Sequence, residues 1–502
     1  MLLGLLLLAP DARAQTCVTA FADHDGDGRR QRGERPVPGV AIMQGGKLVR
    51  TGTRGQATMG EGEAIVVKPA GFALPRDADG LPRLRADQAP LAGGCNVLPL
   101  RPEARATAPL EVLVFGDPQP KSLADVDYYA RDIVAPLVGR HRARLGLSLG
   151  DIVDDKLELY PAMKAATSRL GVPWLHVPGN HDVGLDGTDD ASALHGFKAA
   201  FGADTFAWEE PEAAFVVLDD VISSFVDGRH RYVGGLRQDQ FDFLEAYLPS
   251  VPKTRLLVVA LHIPLFEAPG RDTFRDADRE RLFALLAPFP NVLVLSAHTH
   301  VQQHVFHDAA GGWHGARPLH EYNVGAACGA FWSGVKDARG IPATTMADGT
   351  PNGHALLTIH GDGRYAIDYR PAHGAPHPRI GLHAPKVLRR GAYPAWGLYA
   401  NVWMGMADTR VEFRVDDGPW QPMRKVDQPD PALLLENARD DMADALRGYD
   451  RSPEAVPSTH LWRAALPTDL APGEHVVTVR AFDRWQGEAS NQWRYRLEDA
   501  PP

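Results

Sequence analysis

Apolar positions fall into three regimes along the chain. Over residues 15–104 short runs such as Val40-Ala41-Ile42-Met43 and Ala64-Ile65-Val66-Val67 alternate with glycine-rich turns, which predicts a small β module. From Glu111 the pattern changes. Residues 111–115 form an apolar strand, and Val126, Tyr129, Ala130, Ile133, Val134 and Leu137 then recur at helical spacing. Further strands are predicted at 145–149, 174–177, 215–218, 256–261 and 292–295, with helical stretches between most of them. Continuously apolar runs suit strands covered on both faces, so residues 109–372 read as a layered α/β domain. Residues 355–360 and 365–369 flank Gly361-Asp362-Gly363, a hairpin that closes it. Residues 101–108 and 371–386 lack pattern and read as linkers. Alternating strands return beyond them, for example 411–415 and 475–480, and predict an all-β, Ig-like sandwich over 385–500.

Composition changes this picture little. A length of 502 residues favours three domains, and 44% hydrophobic with 23% charged residues is ordinary for a globular chain. The net charge of -10 predicts no nucleic-acid-binding surface and no general attraction to anionic membranes. A phosphate-bearing ligand would therefore need a local positive centre, such as metal ions. The apolar run at residues 2–9 precedes Ala12-Arg13-Ala14, a small-x-small cleavage pattern. It predicts that residues 1–14 are an export signal and that the protein is periplasmic or secreted. The run lacks the usual leading positive charge, and a buried N-terminal segment is the competing reading. No later run approaches the ~20 apolar residues of a transmembrane span. Of the three cysteines, Cys17 and Cys95 bracket the first module and would pair in an oxidising compartment. Cys328 is left as a buried free thiol. A lipid anchor at Cys17 is the alternative, although Ala14-Gln15-Thr16 lacks the leucine such a signal carries.

Five motifs follow apolar runs in order: Gly116-Asp117-Pro118-Gln119, Gly150-Asp151-Ile152-Val153-Asp154, Gly179-Asn180-His181-Asp182, Leu261-His262 and Ala297-His298-Thr299-His300. They supply Asp, Gln, Asn and His donors, which hold paired divalent metals. In open α/β sheets, loops converge at the carboxyl ends of strands, so each motif reaches one crevice from a rigid base. Glycines 116 and 150 let the chain turn sharply beside the acidic residue.

The set resembles the calcineurin-like metallophosphoesterases, in the bacterial branch with extra N- and C-terminal modules. The resemblance implies a four-layer α/β/β/α sandwich flanked by the β modules. It also implies a binuclear site of manganese, iron or zinc. Asp117 and His300 would bind one metal, and Asn180, His262 and His298 the other, with Asp151 bridging them. Gln119 stands where many members have His. Its amide oxygen is a harder and usually weaker ligand, which leaves both its coordination and the metal identity open. The implied reaction is hydrolysis of a phosphate mono- or diester by a metal-bridging hydroxide, with His181 as general acid. Asp182 would orient a neighbouring group or cap its loop. Asp154 and Asp155 would cap the following helix or support the site, and His304 and His307 read as strand or surface residues.

Other features carry less specific signals. Asp23, Asp25 and Asp27, with Gly28 and Glu34, fit a calcium-loop spacing, against a solvated acidic turn. The loops 323–334 and 348–353 would form a substrate wall, with Trp332 stacking on an organic group and Asn352 beside it, or would simply pack. Trp396, Trp403, Trp420, Trp462 and Trp485 fit sandwich packing better than a sugar platform. The leading function is an exported binuclear phosphoesterase acting on a phosphate ester. The alternatives are a non-catalytic cell-surface glycan-binding protein and a phosphoserine/phosphothreonine phosphatase. Sequence leaves oligomeric state open.

Overall fold

A computed structural model describes residues 16–60, 62–88, 91–92, 94–184, 187–226, 229–267, 274–372 and 379–500. The proposed export signal lies outside the described residues.

The central region is built on two facing sheets. The first has five strands in the order Trp174–Val177, Leu145–Leu149, Leu110–Phe115, Gly353–Ile359 and Tyr365–Pro371. Its first three strands are parallel; Gly353–Ile359 pairs antiparallel with Leu110–Phe115 and, in the closing hairpin, with Tyr365–Pro371. The second sheet has six, in the order Phe206–Glu209, Ala213–Val217, Leu256–Ala260, Val292–Ser296, Leu319–Asn323 and Gln303–His307. Its four middle strands are parallel. Parallel neighbours need crossovers, and here helices such as Tyr160–Thr167, Gln238–Tyr247 and Asp276–Leu286 supply them. Every residue of Leu145–Leu149, Ala213–Val217 and Leu256–Ala260 is buried, as expected for strands covered by the other sheet on one face and by helices on the other. This is the four-layer α/β/β/α architecture. The helix expected after the first strand is α-helical only over Leu123–Tyr129 and continues as a π-helical turn, Ala130–Val134.

In the N-terminal module Thr16–Ala22 pairs with Gln56–Met59 and, in parallel, with Cys95–Pro102. A second small sheet places Ala41–Gln44 between Lys47–Arg50 and Ile65–Val66. A Cys17–Cys95 disulfide joins the two parallel strands, which leaves no thiol at Cys17 for a lipid; Cys328 is a buried free thiol. The module is joined to the central domain by Lys68, a buried residue. Its ammonium lies 2.7 Å from Glu210 and donates to the Glu209 carbonyl at 3.0 Å.

The C-terminal region is a sandwich of a four- and a five-stranded sheet around its own apolar core, including Leu398, Phe413, Trp462, Val477 and Val479. Two features depart from the sequence reading. Ile380–His383, inside the expected linker, is a strand paired with Gly397–Val402. Pro431–Asp441 is a helix, capped by Asp430, whose carboxylate accepts from the Ala432 amide. Trp403 and Trp462 are buried and Trp396 is exposed, so these tryptophans form no common platform. No described helix is long and apolar enough to cross a membrane.

Candidate metal centre

The candidate ligands sit beyond strand ends, and five of the seven are on left-handed backbone. Among the described residues, nine non-glycine residues have positive φ. They include Asp117, Gln119, Asp151, His298 and His300, in a region that side chains rarely adopt. Such strain persists where surrounding structure enforces it, and it clusters at functional sites. Two glycines make room for the turns. A Cβ on Gly150 (φ 88°) would lie 2.3 Å from His262 Nδ1, and one on Gly179 would lie 2.2 Å from the Asp151 backbone nitrogen.

The side chains converge on two groups that share one carboxylate. Asp151, His262 and His298 place ligand atoms within 4.8 Å of one another, and so do Asp117, Asp151 and His300. Asn180 joins the first group, its Oδ1 3.0 Å from His262 Nε2. Hydrogen bonds orient the imidazoles. His262 Nδ1 is 2.8 Å from the Leu149 carbonyl and His300 Nδ1 is 2.8 Å from that of Gly329, so each ring presents Nε2 to the centre. Gln119 donates through Nε2 to Asp154 Oδ1 at 3.0 Å, while its Oε1 is buried with no hydrogen-bond partner. A buried acceptor without a donor is costly, and a cation would satisfy it.

Electrostatics among the side chains alone are dominated by closely spaced acids and imidazoles. Burial opposes the Asp151 charge, but His262 and His181 outweigh it and hold the carboxyl below its ordinary range. Burial also opposes a charged His262, yet Asp151, Asp117 and Asp220 push it up to about 10. His181 follows the same balance. Burial lowers it, and the Asp155 hydrogen bond with the Asp151, Asp155 and Asp154 charges raises it to about 9. Its Nδ1 lies 2.8 Å from Asp155 and 3.4 Å from Asp154.

Several supporting roles differ from the sequence reading. Asp154 and Asp155 do not cap the following helical turn, which has no side-chain cap; they hold Gln119 and His181 instead. Asp182 binds the backbone amides of Ile152 and Gly179, tying two ligand loops together. Burial, reinforced by Asp151, pushes its carboxyl up to about 7. His304 and His307 lie on the edge strand, with His307 bonded to Glu321 at 2.6 Å. Trp332 cannot stack on a ligand as expected. It is 1% exposed and donates from Nε1 to the Pro118 carbonyl. Asn352 is fully buried and donates to Asp132 and to the Ala327 carbonyl, so it shapes the loop and offers no open substrate contact.

The sequence reading missed three contributors. Asp220 accepts from the His262 amide at 2.9 Å; its position just after an apolar run was the available signal. The hairpin Val221–Val226 and Arg229–Gly234 brings the Tyr232 ring edge-on to His298, with centroids 6.0 Å apart. Gln302, two residues past His300, donates from its backbone to Asp348 and from its side chain to the Trp403 carbonyl. In the N-terminal loop Asp23, Asp25 and Asp27 do converge, but both Glu34 oxygens accept backbone amides, from His24 and Gln31.

Residues 110–302 match the family model for calcineurin-like phosphoesterase, and residues 321–488 match that for the C terminal of calcineurin-like phosphoesterase. These stretches together cover most of the chain, and it belongs to the calcineurin-like phosphoesterases, metal-dependent hydrolases of phosphoric esters. A purple acid phosphatase from yellow lupin (Lupinus luteus) seeds is a structural neighbour at 13% identity and a TM-score of 0.38, covering 72% of this chain and 68% of that one. Comparison with curated proteins finds no match.

Proposed function

We propose that the protein is an exported phosphoesterase with a binuclear centre held by Asp117, Gln119, Asp151, Asn180, His262, His298 and His300. The observation that carries this reading is the pair of ligand groups sharing Asp151. The donor set fits divalent manganese, iron or zinc, and the partnerless Gln119 Oε1 adds an oxygen ligand suited to them. When bound, two such cations supply charge to offset the phosphoryl oxygens and lower the pKa of the attacking water. The chain's own residues do the rest. Asp151 spans both groups and accepts the His181 amide at 2.9 Å, which fixes the acid's loop beside the centre. Asp155 holds His181 at Nδ1, so Nε2 delivers the proton to the leaving oxygen.

The Cys17–Cys95 disulfide supports export, because such bonds persist in oxidising compartments. An inert middle domain would be expected to have lost a ligand, whereas all seven candidates occur at the loops described above. Hydrolysis of p-nitrophenyl phosphate and bis-p-nitrophenyl phosphate by metal-stripped protein refilled with manganese, iron or zinc tests the proposal. Metal-dependent turnover of either ester supports it and separates monoester from diester preference. No turnover with any metal argues against it.

A further inference from the structure

A cleft of about 1860 Å³ runs along the seam between the N-terminal module and the central domain. The module forms one wall, and the helix His195–Phe201 of the central domain forms the other. None of the seven candidate metal ligands lines it. The walls are tied together in two places. Lys198 on the helix lies 3.6 Å from Glu63 of the module, and Lys164 lies 2.6 Å from Asp79. Sites for small ligands rarely exceed about 1,000 Å³, so this cleft has room for a segment of a longer chain.

Charge within the cleft is unevenly committed. Its carboxylates are all engaged by the protein itself. Asp23 accepts the Gly26 and Gly28 amides, Asp27 the Arg29 amide and Gln31 side chain, and Asp77 the Asp79 and Leu81 amides. Glu63 holds Arg85 as well as Lys198, and Glu103 lies 3.6 Å from Lys68. Four lining arginines, Arg29, Arg76, Arg83 and Arg101, form no ion pair among the described residues; Arg76 donates to the Gly171 carbonyl at 3.4 Å. Backbone pairing sets three of them in place. Arg76 faces Pro82 across a hairpin in which the Arg83 amide donates to the Pro75 carbonyl, and Arg101 pairs with Ala73. The fold thus brings guanidiniums from three stretches of chain into one concavity, on a protein whose net charge is -10. Such a cluster concentrates positive potential locally, against the field of the whole chain. Half-buried Ala73, Pro75 and Pro99 line the same cleft and offer C–H surface beside the charges.

We propose that this cleft binds a linear polyanion whose phosphate groups are separated by saturated carbon, as in a poly(glycerol phosphate) chain. The planar guanidinium fork matches a pair of phosphate oxygens. The carbon between charges suits the proline and alanine surfaces. A phosphodiester chain also carries its charge in its own backbone. An acidic peptide carries it on flexible side chains, whose ordering costs rotamer entropy, so the polyphosphodiester is favoured. Binding here does not depend on hydrolysis at the metal centre.

The test measures the initial fluorescence anisotropy of end-labelled poly(glycerol phosphate) titrated with full-length, metal-loaded protein. Polyglutamate of equal charge is the comparison. Arg83→Gln/Arg101→Gln should raise the Kd for poly(glycerol phosphate) at least about tenfold, the loss expected for charge-assisted hydrogen bonds, with metal content and Tm unchanged. Wild-type polyglutamate binding should be weaker. The wild-type Kd for poly(glycerol phosphate) should also rise at least about tenfold between about 50 and 200 mM salt, a readout that stands even if the double variant folds poorly. A folded double variant that binds within about twofold of wild type overturns the cleft and places the polymer elsewhere on the protein. Polyglutamate binding as tight as poly(glycerol phosphate) overturns the phosphate chain as occupant and points to an acidic peptide. Absence of wild-type binding, or binding indifferent to salt, overturns the proposal altogether. None of these outcomes bears on turnover of the p-nitrophenyl esters, so a failure here is distinguishable from a failure of the phosphoesterase reading.

Discussion

Gln119 donates to Asp154 across 3.0 Å, and this bond fixes which end of the amide remains for a cation. The position that departs from the familiar Asp-x-His pattern is thereby made into an oriented oxygen donor. Asp154→Ala should weaken metal retention about 10–100-fold, the usual effect of losing a group that orients a ligand. Elemental analysis after dialysis against a graded chelator series would measure it. Metal retention equal to wild type would show that Gln119 needs no such support.

His181 should give the pH profile an alkaline limb. Its folded pKa is raised to about 9, so the proton needed by the leaving oxygen is present below that value and lost as pH rises through it. Bound cations repel the imidazolium and move the limb downward, toward neutrality. Asp155→Asn removes one of the charges raising the pKa, so the limb should shift to lower pH in kcat measurements on an alkyl ester. The limb should be absent in His181→Asn, whose remaining rate should be roughly 10²–10⁴-fold lower.

Lys68 joins the N-terminal module to the central domain through Glu210, and both side chains are largely withdrawn from water. Removing one member of such a pair leaves a buried charge. Lys68→Met should destabilise the protein by about 3–5 kcal/mol in urea unfolding, whereas the Lys68→Met/Glu210→Leu double variant should recover much of that loss.

The C-terminal domain reaches the metal centre through Asp348. His460 Nε2 lies 3.1 Å from Asp348 Oδ2, the same oxygen that accepts the Gln302 amide at 2.8 Å. His460→Ala should loosen the loop carrying His298 and His300. It should show up as weaker metal retention before any large fall in Tm. A Tm loss with unchanged metal affinity would limit His460 to packing.

Much of this arrangement is legible in the sequence because of one physical circumstance. Strands such as Leu145–Leu149 are buried on both faces, so their apolar runs end abruptly, and the first polar residues past the end are those in the crevice. The Asp151, Asn180 and His262 motifs are found that way. That Trp332 turns inward is not legible, because it depends on a left-handed turn with no glycine at that position. Asp154 and Asp155 look like helix caps in sequence, and only the fold brings Gln119 and His181 against them. The strand Ile380–His383 is similarly hidden, since its few residues acquire strand character from pairing with Gly397–Val402.

Asp151 belongs to both ligand groups, and the central claim is tested most directly by counting metal in the wild-type protein and in Asp151→Asn, alongside turnover of p-nitrophenyl phosphate. The expected result is about two divalent ions per wild-type chain, with both occupancy and turnover collapsing in the variant because one carboxylate serves two cations. A variant that keeps two ions and wild-type turnover would contradict the shared-carboxylate centre.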